Sequence, residues 1–233
     1  MDTDPRTAFL EGQVLLIDKP LGWTSFDVVN KIRSAFNRSL GIRKIKVGHA
    51  GTLDPLATGL VIICTGKATR RINSFMDLQK EYEATFRLGA TTPSFDLETE
   101  TDKTYPTEHI TMDMIRAVAE GFIGESDQVP PLFSAKFIDG KRAYEFARAG
   151  KDIELKARTV TIEKILIRDY TAPDLSLSVS CSKGTYIRAL ARDFGEKLGS
   201  GAHLIMLRRT RIGDFSVDQA ETVNNFIEKL KLL

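Results

Sequence analysis

Between Asp27 and Asp77 the chain carries a single carboxylate, Asp54. Cations crowd the approach to it: Lys31, Arg33, Arg38, Arg43, Lys44 and Lys46. Other scarcities narrow the class of protein. The 2 cysteines, Cys64 and Cys181, sit in apolar or alternating runs without Cys-x-x-Cys spacing, which favours buried reduced thiols over a disulfide or a metal site. No apolar run approaches the roughly 18 residues that a membrane span needs. Met1-Asp2-Thr3-Asp4-Pro5 is acidic, whereas a signal peptide begins with basic residues, so a cytoplasmic location is expected. Gly66-Lys67 lies too far from Gly59 for a P-loop, and Ala68 stands where Ser or Thr must meet magnesium. Nucleotide hydrolysis is therefore not expected.

The 233 residues are 42% hydrophobic, enough for one large core or a core with a small appendage. A net charge of +2 says little by itself, but its distribution is uneven. Residues 31 to 50 hold six Lys or Arg and no acid, and residues 183 to 211 hold seven against Asp193 and Glu196. Residues 94 to 127 hold nine acids against Lys103 and Arg116. Such a chain can offer a basic face to a polyanion while staying near neutral overall. Solvated faces are the plainer explanation of any single charge run.

Val14 to Ile17 is a short apolar run that reads as a buried strand entering a turn at Asp18-Lys19-Pro20-Leu21-Gly22. Thr24 or Ser25 can cap a helix with Phe26, Val29, Ile32 and Phe36 at helical spacing. Leu60 to Cys64 is a core strand. Alternation from Tyr82 to Leu88 marks a half-buried strand that Tyr82 begins, and Gly89 to Pro106 reads as a long polar loop. Thr111 opens a helix through Phe122, and Gln128-Val129-Pro130-Pro131 breaks the chain. Asp139-Gly140 signals a tight turn before a helix from Arg142 to Ala149. Thr159 to Ile167, Leu175 to Cys181 and His203 to Ile212 are strands. Thr185 is expected to cap a helix through Leu198, and Asp218 a final helix to Leu230. Strands and helices mix without regular β-α-β alternation, so the expected class is α+β with a central mixed, mainly antiparallel sheet flanked by helices and loops.

The stretch from Gly48 to Gly59 holds three glycines, a proline and two threonines. It cannot be a regular helix, because Gly is too free and Pro lacks the donor. A shaped loop around Asp54 is expected, and by itself it is compatible with an Asp-Pro turn or with a site.

The run His49-Ala50-Gly51-Thr52-Leu53-Asp54-Pro55-Leu56-Ala57-Thr58-Gly59 resembles the catalytic motif of the tRNA pseudouridine synthase B (TruB) family. Leu15 to Ser25, Lys80-Glu81-Tyr82, Ser182 to Arg188 and Leu207-Arg208-Arg209 resemble the same family in the same order. The resemblance runs from about Val14 to Phe215 and implies the pseudouridine synthase fold. It also implies isomerisation of the uridine at position 55 in the T-loop of tRNA, without metal or cofactor. Asp54 is then the nucleophile, Arg188 the arginine that pairs with it, and Tyr82 the residue that stacks on the uracil and serves as a base. His49 matches the residue that fills the stack left by the flipped nucleotide. Lys19 and Pro20 match a motif that supports the loop, Tyr186 and Leu207 line the base pocket, and Arg208 and Arg209 belong to the RNA face.

Residues 125 to 152 match an insertion that closes on RNA. The implied organisation is an extension over residues 1–13, a catalytic domain over 14–215 and a C-terminal helix over 216–233 packed on the core. Longer members carry a separate RNA-binding domain where about twenty residues remain here. The implied partner is the T-arm stem-loop of tRNA, with no obligate protein partner and a monomeric state. A non-catalytic RNA-binding or tRNA chaperone protein would need the same basic faces but no lone Asp with Arg188. A nucleoside hydrolase would use a carboxylate without long basic segments.

Overall fold

The structure is a computed structural model that describes residues 4–133, 137–138, 141–142 and 155–233, the two short pairs by backbone alone. In chain order its elements are α1 (Pro5–Glu11), β1 (Val14–Lys19), α2 (Ser25–Leu40), β2 (Val47–His49), β3 (Thr58–Thr65), α3 (Ile72–Met76) and β4 (Lys80–Leu88). They continue with β5 (Ala90–Thr91), β6 (Lys103–Thr104), α4 (Met112–Glu120), β7 (Gly124–Gln128), β8 (Phe137–Ile138) and β9 (Lys141–Arg142). The last are β10 (Arg158–Thr171), β11 (Asp174–Cys181), α5 (Ile187–Lys197), β12 (Ala202–Ile212), β13 (Phe215–Ser216), β14 (Glu221–Thr222) and α6 (Val223–Lys231). The helix expected from Arg142 to Ala149, and most of the expected clamp, lie outside the described residues.

The chain forms two compact units, one from Met1–Tyr82 with Leu207–Leu233 and one from Glu83–Met206. It passes between them within β4 and again within β12.

In the first unit β3 is central. It runs antiparallel to β1, with Val14 opposite Cys64 and Lys19 opposite Gly59, and antiparallel to β2, with His49 opposite Ile63. The end of β12 joins it in parallel through Arg208 with Thr58 and Arg209 with Gly59. Leu60, Ile62, Cys64, Phe75 and Ile212 form one apolar cluster, which explains why β3 is buried almost end to end. Phe9, Phe36 and Phe226 form a second, with centroids 4.7 to 6.5 Å apart. Through Phe9 the N-terminal helix α1, in the stretch expected to be an extension, packs on α2.

Helix α2 starts at Thr24, which accepts from the Asp27 amide while the Asp27 carboxylate accepts from the Thr24 amide, a reciprocal cap. It ends at Gly41, with φ of 65°. Its buried stripe is Val28, Val29, Ile32, Ala35, Phe36 and Leu40. Phe26, expected on that stripe, is 58% exposed, because Ser25 takes the buried position of the first turn and Phe26 stands about 100° around the helix from it. Asp218 does not cap the last helix. It sits in a turn capped by Ser216, and Thr222 caps α6 through the Asn225 amide. Val223, Phe226 and Leu230 are buried, whereas Leu232 and Leu233 are exposed.

In the second unit β4, β11, β10 and β7 neighbour one another in that order. β10 pairs antiparallel with β11 and with β7. The β11 side chains alternate cleanly, with Leu175, Leu177, Val179 and Cys181 buried. Phe86, Phe122 and Phe194 pack together at 5.8 to 5.9 Å. Cys64 and Cys181 are each buried. β8 pairs with β9, Ile138 opposite Lys141, and the tight turn expected at Asp139-Gly140 lies outside the described residues. Thr185 donates to the Ser182 carbonyl instead of capping α5, whose cap position is Tyr186. The stretch from Gly89 to Pro106 is more ordered and more buried than the long polar loop expected there. β5 pairs with β6, and Thr92, Ser94 and Asp96 are buried. No helix among the described residues is long and apolar enough to cross a membrane.

Gly59 is one of the tight points of the first unit. A Cβ there would stand 2.3 Å from the Arg209 carbonyl oxygen, and φ is +108°. Overpacking and backbone strain each cost about 1–3 kcal/mol. Gly59→Ala should therefore lower the unfolding free energy by about 2 kcal/mol or more, read from urea melts. A loss under about 0.5 kcal/mol would refute the close packing of β3 on β12.

Candidate active site

The loop from Ala50 to Ala57 carries Asp54 between β2 and β3. It has no strand partner of its own, so its peptide groups must find partners elsewhere. The Gly51 and Thr52 carbonyls accept from Arg209 at 3.2 and 3.3 Å. The Leu53 carbonyl accepts from the Ser25 hydroxyl, and the Leu53 amide donates back to the same oxygen, at 3.2 and 2.8 Å. The Asp54 carbonyl accepts from the Ala57 amide at 3.0 Å. Finally, the Pro55 carbonyl accepts from the Gly22 amide at 2.8 Å and from Lys19 Nζ at 3.4 Å. All five carbonyls from residue 51 to 55 are thus held, four of them by groups outside the loop. Asp54 itself is half-buried.

Lys19 is fully buried. Its ammonium also donates to the Pro20 and Trp23 carbonyls at 3.0 and 2.6 Å, so it ties the end of β1 to the turn and to the loop. Burial drives its pKa down from 10.5 to about 8, with Asp54 opposing that shift and Arg209 adding to it.

Arg209 corrects the sequence reading. It was expected on the RNA face, yet it is 1% exposed, and its Nε donates to the Leu60 carbonyl at 2.7 Å while its two terminal nitrogens hold the loop. A guanidinium closed off in this way offers no donor to a phosphate. Arg208, next to it, is about one-third exposed and makes a bidentate pair with Asp18 at 2.7 and 3.1 Å, so much of its charge is already matched.

His49 ends β2, and its Nδ1 is shut off from solvent with no hydrogen-bond partner among the described residues. Burial holds its imidazole below the ordinary value. The Gly51 backbone partly opposes this, and the Arg209 charge adds to it. Tyr82 is the third residue of β4 rather than the first and is buried. Leu207 is buried in β12. The first unit thus brings Lys19, Asp54 and Arg209 together around one loop, with His49 at its start.

Tyr186 and Arg188 belong to the second unit. The Tyr186 backbone is bonded in both directions by the Gln128 side chain, at 2.8 and 3.2 Å. Arg188, on the first turn of α5, is 4% exposed. It donates to the Ser94 and Phe133 carbonyls and faces the Asp96 carboxylate at 3.5 Å. Asp96 is 5% exposed and is a residue that the sequence reading missed. Its signal was faint, since it is one of nine acids in a segment that reads as solvated. The other eight are exposed.

The basic segment before Asp54 does face water, with Lys31, Arg38, Arg43, Lys44 and Lys46 exposed. Arg33 alone in it turns inward, to the Val47 carbonyl. Among the described residues no group of three or more His, Cys, Asp or Glu could hold a metal ion.

These features match known proteins along most of the chain. A family model described as TruB family pseudouridylate synthase (N terminal domain) matches residues 37–187, and one described as tRNA pseudouridylate synthase B C-terminal domain matches residues 188–231. A protein of Phocaeicola vulgatus named tRNA pseudouridine synthase B is 60% identical over 222 residues, covering 95% of this chain and 94% of the relative. One of the same name from Parabacteroides distasonis is 55% identical over 224 residues, covering 95% of each. A crystal structure of a Cbf5-Nop10-Gar1 complex superposes with a TM-score of 0.74 at 30% identity, over 97% of this chain, which spans 56% of that protein's length. The fold is accordingly that of the pseudouridine synthases, and the chain belongs to the TruB family of pseudouridylate synthases.

Proposed function

We propose that this protein isomerises a uridine in the T-loop of tRNA to pseudouridine, with Asp54 as the covalent nucleophile. The observation that carries the reading is the loop itself. The only carboxylate between Asp27 and Asp77 stands half-exposed on a backbone whose carbonyls from 51 to 55 are all held. A carboxylate fixed in place is a competent nucleophile. The relatives' name supports the substrate, and the exposed cations from Lys31 to Lys46 suit a phosphate backbone.

In this reading the bond from ribose to N1 of uracil breaks while Asp54 holds the reacting fragment. The base turns and rejoins through C5, and C5 then loses its proton as N1 gains one. Tyr82 stacks on the base and accepts that last proton. Extruding the uridine costs about a few kcal/mol, which His49 offsets by filling the vacated stack. A neutral imidazole suits that role, and both burial and the Arg209 charge favour one.

The test is conversion of an unmodified tRNA transcript, read by carbodiimide-dependent reverse-transcription stops. Wild-type protein should give one new stop in the T-loop. Asp54→Asn should bind the RNA as well yet give none, and Tyr82→Phe should keep binding while losing most of the rate. Stops only outside the T-loop would overturn the substrate, and near wild-type turnover by Asp54→Asn would overturn the nucleophile.

Lys19 makes a pH prediction. Its folded pKa of about 8 lies below 10.5, so between those values the unfolded chain binds more protons. Stability from this group must therefore rise with pH across that window. Below about 8 both states are protonated, and the cost of the buried charge is fully present. Relative to Lys19→Met, wild type should gain stability from pH 8 to 10, while its turnover falls as the ammonium that holds Pro55 is lost. Unfolding curves for the pair that keep a constant separation across the window would refute the assignment.

A further inference from the structure

We infer that Arg209 is a positioning residue for Asp54, its guanidinium fixing the peptide carbonyls of Gly51 and Thr52 and so setting the direction from which the nucleophile points. This rests on reading Asp54 as the nucleophile.

The geometry is a bridge. Nε of Arg209 donates at 2.7 Å to the Leu60 carbonyl, in the rigid strand β3, while its terminal nitrogens donate to two consecutive carbonyls of the irregular loop. A guanidinium is planar with its donors in a fixed fork, so holding one edge on a strand sets where the other edge can place the loop. The backbone of Arg209 has little freedom to shift, since it lies opposite Gly59 at a distance where no Cβ fits. Strand register, guanidinium plane and loop carbonyls therefore form one rigid chain ending two residues before Asp54.

Burial points the same way. At 1% exposure a cation is costly unless hydrogen-bonded, and an apolar side chain of similar size would often serve packing as well. The three bonds that Arg209 makes among the described residues end on backbone carbonyls, two of them in the loop. Its charge also acts on its neighbours, disfavouring a proton on His49 and on Lys19. A simple phosphate contact would need none of this.

The test compares Arg209→Lys, which keeps the charge but not the fork, with Arg209→Ala supplied with free guanidinium. Single-turnover rates at saturating protein on an unmodified T-arm transcript, KM, and thermal midpoints would be measured for each. Arg209→Lys should remain folded and lose at least about tenfold in rate, with KM nearly unchanged. Guanidinium at non-denaturing concentration should restore part of the rate of Arg209→Ala and none should be restored by sodium chloride. The slope of log affinity against log salt should match wild type, since no phosphate contact is removed.

A folded Arg209→Lys with the wild-type rate would overturn the inference. So would a loss confined to KM with a flatter salt slope, which would return Arg209 to the RNA. Asp54→Asn separates the two claims. If that variant is inactive while Arg209→Lys turns over normally, the positioning role alone fails; if Asp54→Asn is active, the reading of the nucleophile fails first.

Discussion

A peptide carbonyl away from water must be paired, and the irregular loop around Asp54 pairs only one of its five carbonyls from 51 to 55 by itself. That requirement governs the layout of the first unit. Donors reach the loop from the end of β1, from the first turn of α2 and from the end of β12, so three elements distant in sequence converge on five residues. The reciprocal cap at Thr24 and Asp27 then acquires a second meaning, because it fixes where α2 begins and hence where the Ser25 hydroxyl stands. Gly59 has the same standing: without a side chain it lets the Arg209 backbone approach.

The two buried cations at this loop do different work. Lys19 is a point charge that gathers three carbonyls from one turn and the loop, and burial costs it enough to bring its pKa near the physiological range. Arg209 is a plate whose direction matters more than its charge. In the second unit Arg188 repeats the plate's role locally, gathering the Ser94 and Phe133 carbonyls and facing Asp96. The residues that a basic composition offers to RNA are thus partly withdrawn for internal use, and the segment from Lys31 to Lys46 is left to present most of its charge to water.

Much of this was legible in the sequence. The strands β1, β3, β11 and β12 follow from apolar runs or alternation, Thr24, one of the two residues offered as a cap, caps α2, Thr111 stands where a helix was expected to open, and the loop around Asp54 is as irregular as its Gly and Pro content requires. The misses share a cause. Whether a cap belongs to Asp218 or Thr222, or whether Phe26 joins a stripe, depends on helix phase, which tertiary packing sets. Whether Arg209 faces water or carbonyls depends on which side of β12 meets β3, and alternation alone does not say. Asp96 was hidden by its company, since composition averages over a segment while burial selects a single member.

The parallel contact of Arg209 with Gly59 joins residues separated by the whole second unit. Local contacts form early in folding, and long loops close late and slowly. During synthesis β1, α2 and β3 leave the ribosome well before β12, so the loop around Asp54 is made with two of its carbonyls still unclaimed. It acquires its final shape only when the chain returns from the second unit. On the proposed reading of Asp54, a fragment that ends before residue 209 lacks two of the bonds that hold its loop, and the loop is completed only after translation has passed that residue.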